Sequence, residues 1–412
     1  MKNRFFKYVS QNILAMIGLS LYILADTYFI SKAVGANGIT ALNMALPVYG
    51  VIFALGQMVG VGSAIRYSIV KEQYRNSNKD GSNECDKYFS GALFWGLVIG
   101  VIFAVLGLVF PDKIVEIMGG DETIVAIGVP YFRIFMSFSP FFIFNYTCNA
   151  FVRNDGNPSV SMAATLISSL FNIVFDYILM FPLGMGMPGA ALATALSPVV
   201  GVMICMIHFL SKKNTVKFKW FKISLTRLFH CCQVGMSAFV GEMSGAVIVM
   251  VFNFIILRLT GNIGVAAYGV VANTALVAVA VFNGVALGSQ PLISESYGKH
   301  NIKDIKLIEK LGVATALGLA VIIVIMIWGF TDTIVGVFNS QGSDRLLSLA
   351  RVGLRIYFIG FLFAGINIFC SSALSAIASV KWAFVLSILK GFVVVNVCAA
   401  ILAPIFGMNG VW

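Results

Sequence analysis

Three acidic residues stand within apolar sequence: Asp26 in LYILADTYFI, Asp176 in NIVFDYILM and Glu242 in SAFVGEMSGA. The other acids of the chain's 17 lie in polar stretches or near the ends of apolar ones. A carboxylate at the centre of a bilayer costs about 2.5–3.5 kcal/mol on insertion scales, so each is a candidate for holding something mobile. The competing reading is a polar contact that ties two helices together. Asn172 precedes Asp176 by one helical turn and shares its face. Asp176 lies six residues before Pro182, and Thr194 six after Pro188, on either side of the turn FPLGMGMPG. At the helical rise per residue both sit roughly 9 Å from that turn, at one depth. Asp26 lies six residues before Lys32, in a loop on the same side. Asp26, Asn172, Asp176 and Thr194 thus offer oxygen-bearing groups without Cys or His. Such a set suits a proton or a hard cation such as sodium, and no other metal is expected. Glu242 lies midway between Arg227 and Arg258, with Ala238, Gly245 and Ala246 leaving room on its face. An anion there would attract organic cations. Arg133, Arg355 and Lys390 are bases within apolar segments, read as snorkelling or structurally paired.

The elements that must position these residues are membrane spans. The chain of 412 residues is 59% hydrophobic and 11% charged, which is too little polar surface for a soluble protein of this size. Apolar runs long enough to cross a bilayer recur, which points to an all-α integral membrane protein; a β-barrel would show short alternating segments. The first set of predicted spans is 8–30, 41–65, 89–110, 123–150, 158–181 and 188–211. The second is 228–257, 265–293, 311–331, 346–375 and 381–404. The start MKNRFFKYVSQN reads as a retained first helix. Of the 28 Lys and Arg residues, 20 fall at the N-terminus and in alternate loops, Lys79 among them. The opposite loops hold only Lys32, Lys113, Arg258 and Arg345. The positive-inside rule therefore predicts a multi-pass cell-membrane protein with a cytoplasmic N-terminus. The net charge of +11 is topology, and no nucleic-acid partner is implied. The seven cysteines read as small buried hydrophobes. His208, His230 and His300 read as interfacial residues.

The two halves repeat. GANGITALNM (35–44) aligns with GNIGVAAYGV (261–270), and Gly62-Ser63 with Gly288-Ser289, at one offset of 226 residues. YFRIF (131–135) aligns with LRIY (354–357), and Cys148 with Cys370, at an offset of 222. GMPGAA (186–191) matches GMNGVW (407–412). The expected organisation is an N-terminal lobe (1–211), a cytoplasmic linker (212–227) and a C-terminal lobe (228–412). Two pseudo-symmetric six-helix lobes of this kind enclose a central cleft. Since GMPGAA opens a sixth span, GMNGVW is expected to open a twelfth that this sequence does not include.

LADTYFI with the following G-x-x-G-I-T-A-L-N-x-A-x-P, the loop RNDGNP (153–158), NIVFD (172–176) and GAALAT (189–194) resemble the multidrug and toxic compound extrusion (MATE) transporters, prokaryotic branch. The resemblance runs over essentially the whole chain. It implies two six-helix lobes in a V and efflux of lipophilic or cationic compounds in exchange for protons or sodium. It also implies a coupling site in the first lobe, carried onto Asp26, Asn172, Asp176 and Thr194; other branches rely on acids of the second lobe, whose helix-seven Glu resembles Glu242. Alternating access, a monomer, small-molecule substrates and contact with membrane lipids go with it; a cofactor does not. The alternative is a flippase of a lipid-linked oligosaccharide, which would want basic groups in the cleft. No nucleophile–base pair or H-E-x-x-H motif suggests an enzyme.

Overall fold

The computed structural model describes residues 1–77, 81–222, 224–338 and 343–412, so Lys79 and Ile223 lie outside the described residues. All described secondary structure is helical. A bilayer has no water to bond free backbone groups, and a helix satisfies them within each segment. The first half comprises α1 (Lys2–Ala33), α2 (Ala36–Asn76), α3 (Ser82–Val109), α4 (Pro111–Ile117), α5 (Glu122–Ser137), α6 (Ser139–Asn154), α7 (Pro158–Met180) and α8 (Met187–Phe209). The second comprises α9 (Leu225–Thr260), α10 (Asn262–Gly298), α11 (Ile302–Gly329), α12 (Thr331–Phe338), α13 (Asp344–Tyr357), α14 (Phe361–Ala376), α15 (Val380–Ile388), α16 (Val394–Phe406) and α17 (Met408–Val411). A 3₁₀ turn at Phe358–Gly360 joins α13 to α14, and a π turn at Leu389–Val393 joins α15 to α16.

Among the described residues, ten helical stretches are long and apolar enough to cross a membrane, and eleven if α5 and α6 count as one span. The expected fourth span is thus not straight: α5 and α6 meet at 46°. Pro140 in the first turn of α6 explains the break, because it removes a backbone donor and disfavours helix in the residue before it. Exposed Leu97, Ile102 and Leu108 on α3, Met203 and Ile207 on α8, and Ile322 and Ile325 on α11 give the bundle an apolar belt.

The repeat is visible in the backbone. Gly35 (φ 79°, ψ −155°) and Gly261 (φ 68°, ψ −156°) turn the chain between equivalent helices in one conformation, which a side chain would strain. Gly186 (φ 56°, ψ −132°) and Gly407 (φ 60°, ψ −136°) do the same before α8 and α17. The short helices α4 and α12 follow Phe110 and Phe330, extending the repeat beyond the motifs quoted above.

The halves form two lobes joined along a seam. Its largest contacts are α1 against α10 and α2 against α9, which are equivalent under the repeat. Glycine lets these backbones touch. A Cβ on Gly62 would lie 2.1 Å from the Cys231 carbonyl oxygen, and one on Gly235 would lie 2.0 Å from that of Met58. Across the other pair, a Cβ on Gly284 would meet Ile13 Cα at 2.5 Å and one on Gly288 would meet Val9 Cα at 2.7 Å. Ion pairs cross the seam at the end that carries the chain's N-terminus: Arg4 with Glu295 at 2.7 Å, Arg227 with Glu84 at 3.4 Å and Lys299 with Glu72 at 3.7 Å. Towards the other end, Gly50, Gly241, Gly245 and Gly269 have no atom within 4 Å of where a Cβ would sit.

Between α8 and α9 the chain runs extended along the first lobe. Thr215 N–H donates to Asp155 at 2.9 Å, Lys217 N–H to Asp86 at 2.8 Å and Lys219 N–H to Ser90 Oγ at 3.0 Å.

Candidate functional site

Asp26 on α1 is buried, and Asn172 and Asp176 on α7 are fully so. α7 returns as α8 through the turn at 181–186, where Gly184 and Gly186 take positive φ. That hairpin brings Thr194, also buried, level with Asp176. With its nitrogen toward Asp176, the Asn172 amide donates to Asp176 Oδ2 at 3.1 Å and accepts from Thr194 N–H at 3.2 Å, satisfying both ends. In the other orientation it donates to Thr194 Oγ1 at 3.3 Å. The carboxyls of Asp26 and Asp176 lie within hydrogen-bonding range of each other. Each keeps one buried oxygen, Oδ1, without a hydrogen-bond partner. The structure thus brings together all four residues singled out in the first lobe. A bare carboxyl pair in a dry pocket is costly, and a shared proton or a small cation between the oxygens relieves it.

Two tyrosines complete the pocket. Tyr22, one turn before Asp26, bonds Tyr49 at 3.1 Å. Tyr131 on α5 is buried and lies within electrostatic reach of both acids. The i, i+4 spacing of Tyr22 and Asp26 was available in the sequence. Nothing in the sequence pointed to Tyr131, which comes from a helix paired to the site only by tertiary packing.

Glu242 is elsewhere, on α9 and facing the seam. Gln57 Nε2 on α2 donates to its Oε1 at 2.9 Å across the lobes. Gly241 and Gly245 beside it front open space. Tyr146 on α6 is near enough to Tyr22 and to Glu242 to interact electrostatically with both. Gln57 escaped the sequence reading because a neutral amide carries no conspicuous cost in an apolar run. Arg133 and Arg355 are exposed, and neither they nor Lys390 ion-pair with an acid among the described residues.

A second polar cluster lies where the loop RNDGNP meets α8. His208 is buried, not interfacial as its position in sequence suggested: its Nε2 sits 3.0 Å from Asp155 Oδ2 and its Nδ1 3.3 Å from Asn157. Tyr67 at 2.5 Å and Lys71 at 2.8 Å also donate to Asp155, and the Thr215 hydroxyl bonds it too. Burial pushes the Asp155 carboxyl up, but the His208 bond, the Lys71 charge and the hydroxyls together hold it well below the usual carboxylate range. Four of the seven cysteines, Cys85, Cys148, Cys205 and Cys231, are buried, whereas Cys398 is exposed.

Two helical lobes that meet along a glycine-lined seam, with a buried carboxyl pair in one and a lone carboxylate between them, define a polytopic membrane transporter. The MatE family profile matches residues 12–178 and 238–402, and the chain belongs to that family. It is 28% identical over 410 residues to the Multidrug export protein MepA of Staphylococcus aureus strain MRSA252, covering 96% of this chain and 86% of that protein. It is 24% identical over 396 residues to the protein of the same name from Staphylococcus saprophyticus, covering 95% and 85%. A solved structure described as the outward-facing conformation of a multidrug resistance MATE family transporter of the MOP superfamily superposes with a TM-score of 0.92. It is 22% identical and spans 99% of this chain and 90% of the other.

Proposed function

We propose that the protein is a secondary active efflux transporter, working as a monomer, that exports lipophilic cations across the cell membrane in exchange for protons or sodium by alternating access. The observation that carries this reading is the Asp26–Asp176 pair with its two partnerless oxygens. Asn172 and Thr194 serve as neutral ligands beside it, and Glu242 serves as the anion that attracts the substrate. The name shared by the staphylococcal relatives supports export of drugs. The Lys and Arg asymmetry supports a cytoplasmic N-terminus. In that orientation the closed end of the seam faces the cytoplasm and the open end faces outward. One charge moved through 100 mV is worth about 2.3 kcal/mol, which drives a solute uphill when ion and solute bind the two access states differently. The flippase alternative rests on Arg133, Arg355 and Lys390 as grips for a pyrophosphate; none of the three belongs to either acid site described above.

The test is efflux of tetraphenylphosphonium from vesicles holding the full chain, under an imposed proton or sodium gradient. Gradient-driven transport is expected in the parent and absent in Asp26→Asn. Near-normal transport by Asp26→Asn would sink the coupling role of the pair.

A further inference from the structure

An exporter needs its substrate to bind less tightly once the cleft faces outward, and some residue must supply that difference. Gln57 is placed to do so. It is the one hydrogen-bond partner of Glu242 among the described residues, and it comes from the opposite lobe. Gln57 adjoins Met58, whose carbonyl oxygen is where a Cβ on Gly235 would collide, so the bond lies just past the tightest part of the seam. Glu242 is two helical turns beyond Gly235 on the same face of α9. The bond spans α2 and α9 beside their backbone contact, so parting the lobes at this end would take the donor away.

The seam does not need this pair for packing. At the repeat offset of 226 residues, Gln57 corresponds to Asn283 on α10 and Glu242 to Met16 on α1. The equivalent seam, where Gly284 and Gly288 also bring backbones into contact, is thus built with no carboxylate at that position. The polar pair belongs to one side of the two-fold only.

We propose that Gln57 is the substrate-release residue: as the lobes close at the N-terminal end, its amide takes the Glu242 carboxylate and displaces the cation held there. The proposal rests on the reading of Glu242 as the cation-attracting group. A hydrogen bond to a charged group is worth roughly ten- to a hundredfold in an equilibrium, so the closed state should bind a cation weaker by about that factor.

The experiment uses the full chain in lipid nanodiscs on a cysteine-free background. Arg4→Cys and Glu295→Cys, joined by a short bis-maleimide, hold the ion-paired ends together. Binding of tetraphenylphosphonium is measured before and after cross-linking. In the cross-linked protein, Gln57→Leu should bind roughly ten- to a hundredfold tighter than the parent, and without the cross-link the gap should narrow. Gln57→Met, of similar length and without a donor, repeats the measurement should the leucine variant misfold. Equal affinity of parent and variant in the cross-linked state overturns the proposal. Glu242→Gln separates the two ideas. If it weakens binding while Gln57→Leu changes nothing, the release role alone fails. If it leaves binding unchanged, the reading of Glu242 fails with it.

Discussion

Where the first lobe carries Asp26, Asn172 and Asp176, the second carries Phe252, Val394 and Cys398 at the repeat offsets of 226 and 222 residues. The backbones match even to the torsions of Gly35 and Gly261, yet the chemistry does not. Phe252 is buried against Ile256 and Tyr268 and fills its lobe with apolar volume. Val394 and Cys398 are exposed, on the helix that follows the π turn at Leu389–Val393. Such a turn inserts an extra residue and rotates the face beyond it. The fold therefore has no need of carboxyls at these places. The first lobe carries them at a cost, which the proposed coupling site accounts for and packing alone does not.

The sharpest way to break this contrast is to give the first lobe the charge state of the second. Asp26→Asn or Asp176→Asn should reduce gradient-driven transport to that of empty vesicles. The double variant should be little worse than either single one, since residues of one unit are not additive. Thermal unfolding should show the variants folded, and more stable than the parent by about 1–3 kcal/mol, because an uncompensated buried carboxyl is gone. Loss of stability instead would mean that the pair is structural.

Next in size is the seam, where the lobes should behave alike. Gly62→Ala and Gly288→Ala each place a Cβ against backbone, 2.1 Å from the Cys231 oxygen and 2.7 Å from Val9 Cα respectively. Both should hold the lobes apart at this end, slow efflux severely and raise the accessibility of Arg4→Cys to thiol reagents. A strong effect of one with none from the other would show that the two halves of the seam are not equivalent.

A third difference is Asp155, whose counterpart in the second lobe is Ile377. Asp155→Ala leaves Lys71 and His208 without their partner and should cost about 3–5 kcal/mol, read as a lower melting temperature. The carboxyl is held below its ordinary range when folded, so its contribution is complete above the unfolded value near pH 4 and is lost as pH falls below it. The stability gap between parent and Asp155→Ala should accordingly shrink as pH falls below about 4. The smallest effect expected is that of Thr194→Ala. It removes a neutral oxygen and should lower transport by less than about tenfold, in keeping with one hydrogen bond of about 1 kcal/mol.

Much of this was legible in the sequence because a membrane makes polarity expensive. Apolar runs marked every span, and the three acids stood out against them. The i, i+4 spacing of Asn172 and Asp176 put both on one face, and the Gly-rich turn brought Thr194 level with them. The bend at Phe138 was also readable, from Pro140, yet hydropathy averages over it. What stayed hidden is what tertiary packing creates. Tyr131 reaches the site from a separate helix, and Gln57 finds Glu242 only across the lobes. Asp155 and His208 lay near loops, where polar residues are taken to be solvated, and the fold buries both.

The strap between the lobes limits how far they can travel. Its backbone is fastened to the first lobe at Thr215, Lys217 and Lys219, so little of it remains as slack before α9 begins at Leu225. Six peptide steps reach at most roughly 20 Å. Within that leash the second lobe can tilt about its point of attachment but cannot wander off or trade places with a neighbour's. Cutting the bonds to Asp86 and Ser90 would pay out about four further residues, back to Thr215, or roughly 14 Å. Any swing of the second lobe would thus be limited by where the buried Asp86 and Ser90 grip a stretch of otherwise ordinary chain.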